Sequence, residues 1–450
     1  MTEDGRVARA PGRTAAITEA RHVAADVCAD LRKGELLDMS FDRRSARLDP
    51  RDRRFTRELL YGMLRRRAWL DALLEARVRG GLSRLDADVH DVLRLGAYQL
   101  LFMRSVPSYA AIAQTVELVK GRHGMGSGGL VNAVLRRLDR ERDGITVDLP
   151  ADPIDALALT ESHPRWLVAR WVARWGEEET RRLLQANNQE APLVARPVHA
   201  VREQVEAMLE SSGVTVADAP LVLDSIVLAS SVSALTELGA FRQGLFHLQD
   251  PASTLVTMYA DIPEGARVAD VCAAPGGKTI ELTRRADAVY ASDLSFGRLR
   301  RVLENVERME LRGVFPYVAD ARRPAIREAD VVLIDAPCTG TGTFRRHPDA
   351  RWRVKPSDLA VMGAIQREIL RSASALVRPG GLLVYSTCSL EVDENDGQIE
   401  RFLTEQKEWS LEPPADGAVP AAVLDAGRLR VLPQRHGTDG AFAARLRRAS

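Results

Sequence analysis

The sequence predicts a multidomain chain: an all-α N-terminal unit, a small α/β connecting module, and a C-terminal α/β unit on a doubly wound, mostly parallel sheet. Three observations lead there. At 450 residues the chain exceeds what one core supports, since single cores stop growing at about 250 to 300 residues. Its first third carries apolar positions at helical spacing, with no alternating strand to interrupt them. From residue 246 onward, short apolar strands and helices alternate strictly, the pattern of successive βαβ units.

Composition narrows the class. Hydrophobic residues at 45% and charged residues at 28% describe a folded chain rather than a disordered one. No run approaches the ~18 uninterrupted apolar residues of a membrane span, and the opening MTEDGRVARAPGR has no apolar leader segment. A cytoplasmic protein without a membrane partner is expected. The cysteines, Cys28, Cys272, Cys338 and Cys388, have neither CxxC spacing nor the density of a disulfide framework, so no bound metal is expected. A net charge of +1 hides an asymmetry: residues 1–150 hold 27 Lys and Arg against 21 Asp and Glu. The basic excess is N-terminal.

Within residues 1–145, Ala20, Val23, Ala24, Val27 and Leu31 line one helix face, and Leu59, Leu60, Met63 and Leu64 begin another, with Gly62 inside it. Further helices are predicted over 86–103, 108–121 and 128–140, separated by GRHGMGSGG, which reads as a flexible loop because it lacks the P-loop ending. Arginines cluster at 51–57, 65–67 and 136–142, among them Arg136 and Arg137. Arginine grips phosphate through its planar fork, yet interleaved acids fit an ordinary solvated face equally well.

Residues 146–245 form the connecting module. A helical start over 156–189 is followed by strands at 193–196 and 226–229, with a helix over 201–212 between them. In residues 246–450, strands are predicted at 267–272, 288–292, 314–318, 331–335 and 381–386. A long helix over 357–377, stopped by Arg378-Pro379-Gly380-Gly381, joins the last two strands, and 442–446 reads as an antiparallel strand closing the sheet.

The first of those strands runs into Cys272, Ala273, Ala274, Pro275, Gly276, Gly277 and Lys278, and then a helix. Small residues let the backbone turn tightly against a ligand. Neither GxGxxG nor the P-loop spacing is present, which argues against dinucleotide and ATP sites. Asp293, Asp320 and Asp335 follow three successive strands, and Asp293 lies 17 residues beyond Gly276, near the offset at which an acid holds a ribose. One such acid is commonly a helix cap, whereas three in register after a small-residue turn mark a pocket at the carboxyl edge of the sheet. Cys338 and Cys388 close the fourth and fifth strands at that edge, in Asp335-Ala336-Pro337-Cys338 and Ser386-Thr387-Cys388-Ser389. A buried cysteine is ordinarily inert packing, but two at one ligand edge form a candidate reactive pair.

The motifs CAAPGGK, DAPC and STCS, in that order, resemble the RsmB/Sun family of 16S ribosomal RNA cytosine-C5 methyltransferases, and the resemblance covers nearly the whole chain. It implies a Rossmann-like class I methyltransferase domain over 246–450 with S-adenosyl-L-methionine as cofactor, and a NusB-like RNA-binding domain over 1–145. Residues 272–278, Asp293, Asp320 and Asp335 would contact the cofactor. Cys388 would be the nucleophile and Cys338 the residue assisting release, with Asp335 beside the target base. DNA cytosine methyltransferases use the cysteine of their PC motif instead, so the presence of both thiols argues for RNA and against DNA. Cytosine C5 needs activation by a thiolate adding at C6, with a carboxyl near N3 stabilising the developing charge.

By the same resemblance, Arg345 and Arg346, in the loop after DAPC, are expected near RNA, and the reading of Arg136 and Arg137 tips towards RNA contact. His347 reads as an exposed loop histidine needing no function. Thr339 stands where the family commonly has Ser, which preserves the hydroxyl, and Ser162-His163-Pro164 and Ala186-Asn187-Asn188-Gln189 look like family signatures. A monomer acting on 16S ribosomal RNA is expected; the alternatives are tRNA or 23S rRNA as substrate, or a non-catalytic assembly factor, which should have lost the thiols or acids.

Overall fold

The computed structural model describes residues 17–229 and 235–450, so the opening MTEDGRVARAPGR lies outside the described residues. Two compact units divide between Ser162 and His163.

The first unit is helical: Glu19–Arg32, Leu37–Ser45, Pro50–Arg65, Arg67–Glu75, Ala87–Phe102, Ser108–Glu141 and Pro153–Thr160. Its helix starts are written in the chain. Asp49 accepts the Arg51 and Asp52 amides at 2.8 and 2.9 Å with Pro50 in the first turn, and Asp152 likewise accepts the Asp155 amide ahead of Pro153. The apolar stripes meet in one core containing Val27, Leu59, Leu93 and Leu135. Gly62 belongs in its stripe because a Cβ there would overlap the Tyr98 ring. The flexible loop expected at GRHGMGSGG shrinks to a kink at Gly124 (φ 82°), where the two helical segments that span Ser108 to Glu141 meet. Glycine costs a helix only about 1 kcal/mol per residue, and Arg122 and His123 fasten this stretch to Asp88 at 2.7 and 2.8 Å. Pro153–Thr160 packs on Arg67–Glu75, so it goes with the helical unit rather than with the residues that follow.

The second unit begins with helices Arg165–Trp175 and Glu177–Asn187, then a four-stranded antiparallel sheet. Its strands are β1 (Leu193–Pro197), β2 (Val216–Asp218), β3 (Ile226–Leu228) and β4 (Phe246–Leu248), ordered β2-β3-β1-β4, with helix Arg202–Ser211 after β1. The three-residue strands β2 and β4 escape sequence reading because they are too short to show alternation.

The larger sheet contains β5 (Ala266–Asp270), β6 (Ala286–Asp293), β7 (Val314–Val318), β8 (Ala329–Asp335), β9 (Val377–Thr387), β10 (Trp409–Leu411), β11 (Leu424–Asp425), β12 (Arg428–Val431) and β13 (Ala441–Arg448). Its order is β11-β12-β13-β9-β8-β5-β6-β7, with β10 also on β13. Strands β5 to β9 are parallel, as expected, and β13 runs antiparallel to β9. That last strand does not close the sheet, since β12 and β11 continue beyond it. Helix Pro356–Ser374 ends before Pro379, and β9 starts at Val377: the Arg378–Gly381 stretch is a bulge, because Ala329 pairs with Val377 but Val331 with Leu382. Chain order reverses between β5 and β8, so the loops after them flank a crevice at the carboxyl edge.

Candidate active site

Each expected cofactor residue follows a parallel strand at the carboxyl edge of the larger sheet. After β5, the Ala273 amide donates to Ser292 O at 2.8 Å, the Ala274–Pro275 bond is cis, and Gly276 takes φ +109° before helix Gly277–Leu282. Only glycine adopts that conformation without strain. Asp293, at the end of β6, accepts the Ser295 amide at 2.9 Å and faces Arg298 at 3.5 Å, while Arg298 also donates to Ala274 O at 2.9 Å. Asp320 lies two residues past β7 and is held by Arg322 at 2.8 Å. Cys272 is not a reactive thiol: burial, then Asp270, Asp335 and Asp293, push it well above its ordinary value.

At the end of β8, Asp335 has both oxygens engaged. Lys278 Nζ donates to Oδ2 at 2.7 Å and Ser386 Oγ to Oδ1 at 3.0 Å. Burial alone would lower the Lys278 ammonium, but Asp335 outweighs it and the net direction is up.

Cys338 and Cys388 come together, with Sγ atoms 3.2 Å apart and both free. The Cys388 thiol is held below its ordinary value chiefly by the hydrogen bond from Cys338; burial and Asp335 oppose this, while Lys278 and His347 add to it. Cys338 moves the other way, pushed up by the same hydrogen bond, by burial, and by the charges of Cys388 and Glu394. The pair therefore has a direction: the thiolate is favoured at Cys388 and the proton at Cys338. His347 is half-buried, not an exposed loop residue, and stands on the Cys388 side of the pair.

Arg345 and Arg346, expected at RNA, are tied inside the protein instead. Arg345 is buried and donates to Asp439 at 2.8 Å, Gly437 O at 2.9 Å and Asp250 at 3.2 Å. Arg346 reaches the same two carboxylates and Pro192 O at 3.2 Å. Two buried acids facing the same loop claim both guanidiniums, which no local sequence pattern foretold. Arg136 and Arg137 are exposed in the helical unit and bond Asn132 at 2.9 Å and Glu141 at 2.7 Å.

Several residues of the site had no sequence signal. Asp270, fully buried at the end of β5, accepts from Thr279 at 2.7 Å while its Oδ1 has no partner, and burial pushes it up to about 7. Arg351 donates to Asn188 Oδ1 at 2.7 Å and Asn187 O at 2.8 Å, so the Asn187-Asn188 signature anchors the loop after Cys338. Trp171 Nε1 and Arg170 Nε bond Glu391 at 2.9 and 2.8 Å, holding the loop after Cys388 from the other side.

Among the described residues no helix is long and apolar enough to cross a membrane, and no group of three or more His, Cys, Asp or Glu is arranged to hold a metal ion.

Comparison with known proteins agrees with this architecture. Residues 257–447 match the family model for 16S rRNA methyltransferase RsmB/F, residues 18–140 the NusB family, and residues 163–234 the RsmF/B-like ferredoxin-like domain. The chain is 33% identical to a probable ribosomal RNA small subunit methyltransferase B of Synechocystis, over 96% of this chain and 99% of that protein. It is 34% identical to the ribosomal RNA small subunit methyltransferase B of Vibrio cholerae, over 91% and 93% of the two chains. Among solved structures, that of PH0851 superposes with a TM-score of 0.80 at 27% identity, covering 96% of this chain and all 100% of that one. A methyltransferase homologue from Pyrococcus horikoshii gives 0.56 at 27% identity, covering 66% and 99%. With its helical NusB-like unit, its small α/β module and its mixed-sheet methyltransferase domain, the chain belongs to the RsmB/F family of small-subunit ribosomal RNA methyltransferases.

Proposed function

We propose that the chain methylates C5 of a cytosine in 16S ribosomal RNA, with S-adenosyl-L-methionine as methyl donor, Cys388 as nucleophile and Cys338 as the group that assists release. The observation that carries this is the sulfur pair at 3.2 Å, at the same edge as Asp335 and the turn after β5.

The crevice fits the cofactor. Asp293 offers a carboxylate for ribose hydroxyls, and the buried Asp270 keeps an oxygen without a partner. Cys272 to Lys278, Asp293, Asp320 and Asp335 would hold it. When bound, it supplies an electrophilic methyl group on a sulfonium.

The chain's own residues do the rest. The Cys388 sulfur adds to C6 of the base, and the electron pair moves through the ring, making C5 nucleophilic. Asp335 would hold N3 as that charge develops, with the proton it needs there supplied by the Lys278 ammonium paired to it. After methylation a base takes the C5 proton, the electron pair left behind re-forms the C5–C6 double bond, and the S–C6 pair leaves with the Cys388 sulfur as thiolate. Cys338, a thiol donor beside the sulfur that departs, assists that step.

Transfer of labelled methyl to 16S RNA tests the reading: Cys388→Ala should abolish it, and retained transfer would refute the assignment. Bisulfite sequencing of RNA from a deletion strain identifies the target. Loss of protection at a 16S cytosine is expected, and loss confined to tRNA or 23S RNA overturns the substrate.

A further inference from the structure

The contact between the two sulfurs needs a cause, because each thiol sits on a separate loop. Glu394 supplies one. It is fully buried in the short turn Val392–Glu394, and four donors converge on its carboxylate. Oε1 accepts the Thr339 amide at 2.9 Å and Gln366 Nε2 at 3.1 Å, and Oε2 accepts the hydroxyls of Thr339 and Ser389. Thr339 directly follows Cys338, and Ser389 directly follows Cys388. Gln366 also donates to Pro337 O at 2.9 Å, on the other side of Cys338. Adjacent Cα atoms are about 3.8 Å apart, so binding residues 339 and 389 to one carboxylate leaves the preceding sulfurs little freedom to separate. Asn395 reinforces the Cys388 loop, accepting from Thr387 Oγ1 and donating to Ser389 O at 2.8 Å.

We infer that Glu394 is the positioning residue that clamps the Cys338 and Cys388 loops together and keeps their sulfurs in contact. This rests on the assignment of the two cysteines above. The hydroxyl of Thr339 is then the part of that side chain the clamp uses. Glu394 stands on the Cys338 side of the pair and Lys278 on the Cys388 side.

The test uses the full chain with Glu394→Ala and Glu394→Gln, reading kcat and KM for methyl transfer to 16S RNA and the pH profile of Cys388 alkylation by iodoacetamide. For Glu394→Ala, kcat should fall about 100-fold, the loss that a displacement of order 1 Å produces, with KM for RNA and cofactor unchanged. The alkylation midpoint of Cys388 should move to higher pH as the Cys338 hydrogen bond is lost. Glu394→Gln keeps the shape and one acceptor oxygen, and the two hydroxyls can turn to accept from its amide, so it should recover most of the rate. Wild-type kcat and an unmoved midpoint in Glu394→Ala, or a loss confined to KM, overturn the inference. Should Glu394→Ala fail to fold, the double variant Thr339→Val, Ser389→Ala takes its place: the same two changes support the clamp and wild-type values overturn it. Cys388→Ala run alongside separates the failures. Methyl transfer by that variant overturns the cysteine assignment itself, whereas an inert Cys388→Ala beside a fully active Glu394→Ala overturns only the role of Glu394.

Discussion

Lys278 and Asp335 form an ion pair at 2.7 Å that joins the turn after β5 to the end of β8, and the lysine's charge also reaches Cys388. Replacing it tests that reach. In Lys278→Met, Cys388 keeps the neighbouring carboxylate but loses a cation, so its thiolate is disfavoured and the thiol titrates at higher pH. Alkylation at neutral pH should slow while that at high pH is preserved. A midpoint that stays or falls contradicts the electrostatics.

Cys338→Ala removes the donor that stabilises the Cys388 thiolate and the group that assists its departure. An RNA–protein adduct that survives a denaturing gel should accumulate, with methyl turnover slowed. Free turnover without adduct would leave Cys338 without its assigned role.

Arg345 and Arg136 should separate cleanly. Arg345→Ala leaves Asp250 and Asp439 short of a buried partner, which costs about 3–5 kcal/mol in denaturant unfolding. Arg136→Ala is an exposed change and should leave stability within about 0.5 kcal/mol. If Arg136 meets phosphate, that same variant weakens RNA binding and flattens its salt dependence. An unaltered salt slope removes Arg136 from the RNA surface.

Asp270 gives a pH signature. Its folded value of about 7 lies above the ordinary 3.8, so between those values the folded protein binds more protons than the unfolded chain. Stability contributed at low pH is therefore lost as pH rises from about 4 to about 7, by an amount on the order of 4 kcal/mol. Asp270→Asn should remove that slope and gain on the wild type towards neutral pH. Parallel stability curves for the two proteins would contradict it.

The parallel strands, the crevice residues 272–278 and the two cysteines were legible because each is local: an apolar run, a small-residue turn, a strand end. Val314–Val318 was located to the residue. What escaped depends on closure across the chain. Glu394 follows Cys388 by six positions and looks like one more acid ahead of a helix, until the loop after β8 brings Thr339 against it. Arg345 and Arg346 misled for the converse reason: a basic loop looks like a nucleic-acid surface until Asp250, 95 positions away, and Asp439, 94 away, are folded against it. The stretch around Gly124 misled because a run of glycines looks like a loop, whereas here all but Gly124 hold helical backbone, with Arg122 and His123 tied to Asp88.

Gly342 and Gly440 pack backbone to backbone: the Gly440 amide donates to Gly342 O at 2.8 Å, and a Cβ on Gly342 would come within 2.7 Å of the Cys388 carbonyl. One wall of the loop between the two thiols is therefore built by a segment just ahead of β13, roughly fifty residues after Cys388 in the chain. A chain ending before residue 440 would hold both cysteines yet lack that wall, so the enclosure of the two thiols is completed only by the segment ahead of β13.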